Sequence, residues 1–331
     1  MQQFQIGDPS AVAPARRGVS TLAAELGFDT EDAGRAALVA TEIGTNLVKH
    51  GGGGELIAQQ ISQHGHIGLE LLGLDKGPGI ADVGKCLRDG YSTSGSPGTG
   101  LGAMERLSQR FEIYSRPGLG TAVLAQLWPD SREPPPGRTQ LGALVVPKPG
   151  ESACGDRYCY HERVEGALVA GIDGLGHGLG AEQAAVEACR IFDAEKHRPT
   201  LRLMQSLHEA LRPTRGAAVT LLEVDWDAGR ITSVGVGNVA AAMINGNETK
   251  RIATDNGIVG HVISRPRELL HACQPDTVLV LHSDGLTTSW QAARYPGLMQ
   301  HHAALIAGVL YRDCKRGRDD SLVVVIRRTP S

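Results

Sequence analysis

The sequence predicts an α/β chain of two domains, and three observations lead to that prediction. Its 331 residues are more than one hydrophobic core usually holds. The polar run PDSREPPPGR at residues 129–138 contains four prolines, which fix φ and lack a backbone donor, so it favours an extended, semi-rigid spacer. Short apolar strands and helical segments occur on both sides of this run. We therefore expect one domain at residues 1–128, a linker at 129–140 and a second domain at 141–331.

The composition excludes several classes of protein. Hydrophobic residues make up 41% and charged residues 21% of the chain, as in globular proteins. A net charge of -3 and an aromatic content of 4% give no basis for binding nucleic acid. No apolar run approaches the roughly eighteen residues of a membrane span, and the six cysteines are scattered as in a reducing compartment. We expect a cytoplasmic protein without nucleic-acid or membrane partners, and its oligomeric state stays open.

The first domain is expected to contain helices, strands and a glycine-rich turn. Its second helix begins near Asp29, a suitable N-cap, and runs to His50, where a run of glycines stops it. The expected segments are helices at residues 18–28 and 29–50, strands at 55–62 and 66–74, a helical stretch at 103–110, and strands at 111–115 and 121–127.

One face of the second helix carries polar side chains. Glu42, Asn46 and His50 (or Lys49) recur at steps of three to four residues, so they share that face. A carboxylate, a carboxamide and a cation arranged in this way can hold a metal ion and the phosphates attached to it. Taken alone, the pattern also fits a solvated polar helix face.

Two glycine-rich segments follow this helix. Asp75 ends a strand and precedes GPG, where the backbone can approach a flat ligand closely. Gly98, Gly100 and Gly102 lead into a helix, whose N-terminal N–H groups suit phosphate oxygens. A G-x-G-x-G run on its own is also typical of a flexible loop.

The first domain resembles the Bergerat-fold (GHKL) ATP-binding domain in four features that occur in this order: the polar helix face, DKGPGI, GTGLGA and GLGTAV. DGYSTSG, followed by GLG and FEIYS, is similar to the RsbT-type serine kinases of bacterial partner-switching pathways, and the resemblance covers about residues 15–128. It implies that Asn46 ligates the Mg²⁺ of ATP, that Glu42 is the catalytic residue activating a serine hydroxyl, and that Asp75 contacts the adenine amino group. The other nucleotide-binding residues that it implies are His50, Gly77, Gly79, Gly98, Gly100, Leu101, Gly102 and Thr121.

The second domain is expected to be a β-sandwich flanked by helices. Strands are predicted at residues 141–146, 166–172, 217–224, 231–236, 240–244, 277–282 and 321–327, with helices at 179–196 and 200–211. The connection at 245–273 stays unassigned.

Aspartates stand at the strand ends or in adjoining turns of this domain: Asp156, Asp173, Asp284 and the pair Asp319-Asp320. Since Asp-Gly is a common turn dipeptide, a turn is the alternative interpretation at single positions. Two apolar strands nevertheless each lead into Asp-Gly. Carboxylates without cysteine or paired histidine favour Mg²⁺ or Mn²⁺, and two such ions can activate water and neutralise a phosphoryl group.

The second domain resembles the PPM-type (protein phosphatase 2C-like) serine/threonine phosphatases, in particular the bacterial SpoIIE/RsbX branch. The motifs that carry this resemblance are DGLGHG, GVGN, SDG and RDDSLVVV. The resemblance covers about residues 143–328 and implies two Mn²⁺ or Mg²⁺ ions and direct attack by water. It implies that Asp173 is the catalytic residue. The metal ligands that it implies are Asp156, Asp173, Asp284, Asp319 and the carbonyl of Gly174. His177 is either an acid near the leaving oxygen or a turn histidine.

Both families act on STAS-domain antagonist proteins. The resemblances together therefore imply a bifunctional switch regulator, with a serine/threonine kinase and an opposing phosphatase that share a STAS-domain substrate. Two alternatives stay open. The first domain only binds ATP and a partner, as an anti-sigma-like module does, or ATP is an allosteric ligand of the phosphatase.

Overall fold

The computed structural model describes residues 1–87, 100–263 and 265–330. The chain divides into two compact units, Met1–Pro136 and Gly137–Ser331. The division falls inside the stretch that the sequence analysis assigned to the linker. No helix in the described parts of the chain combines the length and apolar character that a bilayer span requires.

The first unit is built on one antiparallel sheet of five strands. Its strand order is β1-β2-β3-β5-β4. The elements are β1 (Gln2–Ile6), α1 (Val12–Glu25), α2 (Thr30–Lys49), β2 (Gly54–Gln63), β3 (His66–Leu74), α3 (Val83–Leu87), α4 (Gly100–Leu107), β4 (Arg110–Ser115) and β5 (Thr121–Leu127), with 3₁₀ turns at Pro9–Ala11 and Pro129–Ser131. One hydrophobic core joins the apolar sides of α1 and α2 to one face of the sheet.

Helix α2 is placed by its N-cap and by a glycine beneath it. The side chain of Asp29 accepts a hydrogen bond from the Asp32 amide at 2.7 Å, which confirms the predicted cap. Below the helix, a Cβ on Gly73 of β3 would lie only 2.4 Å from Cγ2 of Ile43. The bare glycine therefore lets α2 pack close to the sheet, and Ile43 is the neighbour of Glu42.

The predicted start of the first helix was wrong. Helix α1 begins at Val12 rather than at residue 18. Pro14 lies in its first turn, where a missing N–H costs no helical hydrogen bond, so the proline does not delay the helix. Strand β1 was also missed, because only two of its five residues, Phe4 and Ile6, are apolar.

The second unit contains two five-stranded sheets and three α-helices in its described part. The sheets have the orders β15-β10-β9-β8-β7 and β12-β11-β16-β17-β6, and β13 pairs with β14. The elements are β6 (Thr139–Val146), β7 (Asp156–Glu162), β8 (Gly166–Gly174), α5 (Leu179–Glu195), α6 (Thr200–Ala210), β9 (Ala217–Asp225), β10 (Arg230–Val236), β11 (Ala240–Asn245), β12 (Glu248–Ile252), β13 (Gly257–Ile258), β14 (Val262–Ile263), β15 (Leu269–Ala272), β16 (Val278–His282), α7 (Ala303–Cys314) and β17 (Ser321–Arg328), with 3₁₀ turns at Ala292–Arg294 and Leu298–Gln300.

The two sheets face each other across a shared apolar core, and helices lie outside them. Residues of β8, β9 and β10 pack against residues of β11, β16 and β17 in that core. Helices α5 and α6 cover the outer face of the first sheet. Helix α7 packs on β6 and β17 of the second sheet, where a Cβ on Gly142 would lie 2.1 Å from the Ala304 amide nitrogen. These features confirm the predicted β-sandwich flanked by helices.

We predict that Gly73→Ala loosens α2, because the added methyl group overlaps Ile43. Overpacking of this kind costs roughly 1–3 kcal/mol. Gly34→Ala is the matched control, since Gly34 is exposed on α2 and its Cβ would meet no atom within 4 Å. That change should stabilise the helix by about 0.5–1 kcal/mol. Hydrogen exchange of the α2 amides in the full chain measures both effects, and equal protection in the two variants would contradict the packing argument.

Candidate active sites

The first candidate site lies where α2 meets the start of α4. A Cβ on Gly100 would lie 2.9 Å from Oε2 of Glu42 and 3.9 Å from Oδ1 of Asn46. Gly100 is the first residue of α4, so the helix end that carries unpaired N–H groups adjoins both polar side chains. The structure thus brings together a carboxylate, a carboxamide and a helix N-terminus. These groups suit a nucleotide phosphate and its metal ion.

The other nucleotide-binding residues predicted near α2 and α4 differ in their burial. Gly102 is buried in α4, and Leu101 is half-buried against the domain core. Gly98 lies outside the described residues. His50 is the exposed C-cap of α2, and its amide donates to the Asn46 carbonyl at 2.9 Å.

A second cluster in this unit is organised by Asp75, directly after β3. Asp75 is 8% exposed, and its Oδ1 accepts hydrogen bonds from the amides of Gly77 at 2.8 Å and Thr121 at 3.1 Å. These bonds fix the orientation of the carboxylate. Gly51 connects the cluster to α2, because a Cβ there would lie 2.7 Å from Cβ of Asp75. The oriented carboxylate fits recognition of an amino group, such as that of adenine.

The backbone around Asp75 depends on glycine and on a serine that the sequence analysis missed. Gly79 has φ +76°, and a Cβ on it would lie 2.0 Å from the Arg116 carbonyl oxygen, so only glycine fits there. Ser115 Oγ accepts from the Ile80 amide at 2.8 Å and lies 2.9 Å from Oγ1 of Thr121. Ser115 ends the strand motif FEIYS, but no local pattern connects it to the segment around Ile80.

The third candidate site lies at one end of the β-sandwich. In the pairing of β7 with β8, Asp156 lies directly opposite Asp173, so both side chains point to the same face. Asp156 is 1% exposed, and Ser283 Oγ donates to its Oδ2 at 2.6 Å. The same hydroxyl accepts from the Leu322 amide at 3.0 Å. Ser283 therefore joins the end of one sheet to an aspartate of the other.

A further aspartate, Asp284, is connected to this pair through Asn238. Nδ2 of Asn238 donates to Oδ2 of Asp284 at 2.8 Å, and the same side chain hydrogen-bonds Asp173. Asp284 follows β16, as the sequence predicted. Asn238 and Ser283 stand in the quoted motifs GVGN and SDG, yet neither was given a role, because their contacts are with residues distant in the chain.

The aspartates of this cluster repel one another. Burial, followed by the charge of Asp173, raises the pKa of Asp156 well above its usual range, and the Ser283 hydrogen bond opposes that shift. Burial raises the pKa of Asp173 to about 7, with further contributions from the charges of Asp284, Asp319 and Asp320. A divalent cation would relieve this repulsion, so the donor chemistry fits Mg²⁺ or Mn²⁺. In the described parts of the chain, no three carboxylate, imidazole or thiol groups already converge to hold a metal ion.

The neighbours Asp319 and Asp320 differ in what they contact. Asp320 is 4% exposed, and its two oxygens accept from the amides of Lys148 and Gly155, both at 2.7 Å. It therefore fixes the segment that leads into β7. Asp319 is exposed, and its Oδ1 accepts from the Asp320 amide at 3.0 Å. Asp319 keeps more of its carboxylate accessible than Asp320 does.

The glycine-rich loop after β8 completes this site. The Gly174 amide donates to the Gly155 carbonyl at 2.9 Å, which ties the loop to the segment before Asp156. His177 is exposed, and its Nδ1 lies 2.8 Å from Oε1 of Glu151. The His177 carbonyl also accepts from Arg215 at 3.5 Å.

Comparison with known proteins identifies the two domains. Residues 7–127 match the family of histidine kinase-like ATPase domains, and residues 165–329 match the Stage II sporulation protein E (SpoIIE) family. Over 117 residues the chain is 37% identical to the serine/threonine-protein kinase RsbT of Bacillus subtilis (strain 168), covering 35% of this chain and 88% of RsbT. The chain belongs to the RsbT family. It joins an RsbT-type kinase domain to a SpoIIE-type phosphatase domain, as the sequence predicted.

Solved structures share the fold. A protein of the bacterial stressosome, a modular system adapted to control secondary messenger signalling, has a TM-score of 0.54 at 24% identity, covering 58% of this chain and 100% of its own. RsbX in complex with magnesium also has a TM-score of 0.54, at 17% identity, covering 60% of this chain and 99% of RsbX. These likenesses concern the fold, and they confirm the predicted PPM-type architecture.

We predict that Asp320→Asn destabilises the phosphatase domain whereas Asp319→Asn does not. The side-chain amide introduced at position 320 would face a backbone N–H and leave a buried donor unpaired, at a cost of roughly 1–3 kcal/mol. Asp319→Asn keeps the oxygen that accepts from the next amide. Thermal unfolding of the full chain with a chelator present measures both variants. Equal losses of stability, or none, would contradict the different roles.

Proposed function

We propose that this chain is a bifunctional switch regulator of a bacterial partner-switching pathway. Its first domain would phosphorylate a serine or threonine of a STAS-domain antagonist protein, and its second would remove that phosphate. The observation that carries the proposal is that one chain holds Glu42 and Asn46 beside a helix N-terminus, and also a cross-strand pair formed by buried Asp156 and half-buried Asp173.

In the first domain, ATP with Mg²⁺ is the proposed phosphate donor. Asn46 would bind the ion through its carboxamide oxygen, and Glu42 would accept the proton of the attacking hydroxyl. The start of α4 would hold phosphate oxygens with backbone N–H groups. Asp75, oriented by the amides of Gly77 and Thr121, would accept a hydrogen bond from the adenine amino group. Catalysis in this domain is mainly positioning, which suits a site built from backbone and fixed carboxylates.

In the second domain, two Mn²⁺ or Mg²⁺ ions would activate water and neutralise phosphoryl oxygens. The proposed ligands are Asp156, Asp173, Asp284, Asp319 and the carbonyl of Gly174. The chain's own contacts orient them: Ser283 holds Asp156, and Asn238 holds Asp173 and Asp284. The proposed role of Asp320 is to position the segment before Asp156 rather than to bind metal.

The shared STAS-domain substrate is supported by the family resemblances of both domains. A kinase and a phosphatase on one chain would set the phosphorylation level of that substrate, and residues 129–140 would be the linker between them. Since the kinase reaction uses ATP, we propose that the protein acts in the cytoplasm.

The test is a phosphate balance on a STAS-domain protein from the same organism, with ATP and Mn²⁺ present. We expect Asp173→Asn to accumulate phosphorylated substrate, because the kinase would act without opposition. Glu42→Ala should form none, yet it should strip phosphate from a substrate that was phosphorylated beforehand. Phosphate-affinity electrophoresis measures both outcomes.

Two exposed acidic residues supply matched controls. Glu31, in the first turn of α2, is changed in Glu31→Ala as the control for the first domain. Asp276, just before β16, is changed in Asp276→Asn as the control for the second domain. Neither is a predicted site residue. Both controls should behave as the wild type does.

If Asp173→Asn accumulates no phosphorylated substrate while the wild type still dephosphorylates it, the first domain is a binding or sensing module. Full phosphatase activity in Asp173→Asn would contradict the metal mechanism.

A further inference from the structure

Two cysteines outside the candidate active sites lie in contact. Cys159 is on β7, three residues after Asp156, and Cys189 is on α5. Both are free thiols, and Cys159 donates a hydrogen bond to the sulfur of Cys189 with the two Sγ atoms 2.7 Å apart. A disulfide needs a separation of about 2.05 Å. The sulfurs therefore need only a small movement to form a bond.

The two thiols differ in exposure and in acidity. Cys159 is 7% exposed, whereas Cys189 is half-buried. The hydrogen bond from Cys159 lowers the pKa of Cys189, and the guanidinium of Arg157 acts in the same direction, against burial and the charge of Asp193. The same bond and burial raise the pKa of Cys159. Cys189 is therefore the nucleophile of the pair and Cys159 its resolving partner.

Metal binding is a poorer explanation for this pair. In the described parts of the chain, no third histidine, cysteine, aspartate or glutamate is placed to complete a metal site with the two sulfurs. Two adjacent thiols of unequal acidity instead have the arrangement of a redox pair.

We propose that Cys159 and Cys189 are a peroxide-reactive thiol pair whose intrachain disulfide slows the phosphatase domain. The Cys189 thiolate attacks one oxygen of a hydroperoxide, the O–O bond breaks, and the leaving alkoxide takes up a proton, which gives a sulfenic acid and an alcohol (water, for hydrogen peroxide). The Cys159 sulfur then attacks the Cys189 sulfur, and hydroxide leaves with the Cys159 proton as water. The two thiols are oxidised by two electrons and the peroxide is reduced. A dithiol reverses the step by thiol–disulfide exchange.

The position of the pair explains its effect on the phosphatase site. The bond would link β7, which begins with Asp156, to α5, which follows the loop after Asp173. The start of α5 already touches the site, because a Cβ on Gly155 would lie 2.6 Å from Cβ of Ala181. A shift of β7 against α5 would therefore move the aspartates. Displacements approaching 1 Å can cost up to ~10²-fold in rate, so we expect a loss on the order of tenfold. This effect on rate rests on the proposed phosphatase function, whereas formation of the disulfide does not.

The test uses the full chain, reduced and then exposed to hydrogen peroxide. Non-reducing peptide mapping by mass spectrometry should show a Cys159–Cys189 link that dithiothreitol removes. Hydrolysis of p-nitrophenyl phosphate with Mn²⁺ should fall on the order of tenfold in step with the link and then recover. Cys159→Ser should stop at a Cys189 sulfenic acid, which a cyclic diketone traps. Cys273→Ser, which removes another half-buried thiol of the same domain, is the matched control and should behave as the wild type.

Three results would overturn the proposal. Cys159 and Cys189 could remain thiols at peroxide doses that oxidise Cys273. The link could form without any change in the rate of hydrolysis. Peroxide could slow hydrolysis by the Cys189→Ser variant as much as it slows hydrolysis by the wild type. A reduced chain without phosphatase activity would count against the proposed function instead, and the peptide map would still decide whether the disulfide forms.

Discussion

The antiparallel register of β7 and β8 is the constraint on which the candidate phosphatase site depends. It sets Asp156 opposite Asp173, and a slip of one residue would turn one of them to the opposite face of the sheet. Burial and the charges of neighbouring carboxylates raise the pKa of both carboxyls, with Asp173 acting on Asp156, and Asp284, Asp319 and Asp320 acting on Asp173. The surrounding sandwich compensates through Ser283 and Asn238, which donate hydrogen bonds to the carboxylates. The fold thus stabilises a strained acidic cluster that a cation can relieve.

In the kinase-type domain, the polar groups are positioned by backbone segments that pack close together. Gly73 lets α2 lie close on the sheet, and Gly100 brings the start of α4 beside Glu42. Asp75 receives its orientation from two backbone amides. Three of the candidate residues lie at strand ends, where the scaffold fixes their position: Asp75 directly follows β3, Asp156 begins β7, and Asp173 is the penultimate residue of β8.

Much of the fold was predictable because its elements have clear local signals. Strand β3 was predicted with its observed bounds, and α2 was predicted from its N-cap and the glycines that end it. Helix α7 was missed because it is buried nearly all round and has no polar face to give a helical period. The contacts of Ser283 and Asn238 join distant parts of the chain, so spacing could not show them. Candidate site residues could be predicted where a motif places them at or next to a strand end, as with Asp173.

The central claim is that one chain carries two opposing reactions, and release of inorganic phosphate from ATP tests it most directly. With a STAS-domain protein present, the wild type should release phosphate continuously, because the substrate is phosphorylated and dephosphorylated in turn. Glu42→Ala and Asp173→Asn should each abolish steady release, and a mixture of the two variants should restore it. Steady, substrate-dependent release by Asp173→Asn alone would contradict the account, since phosphate would then leave ATP without passing through the second site.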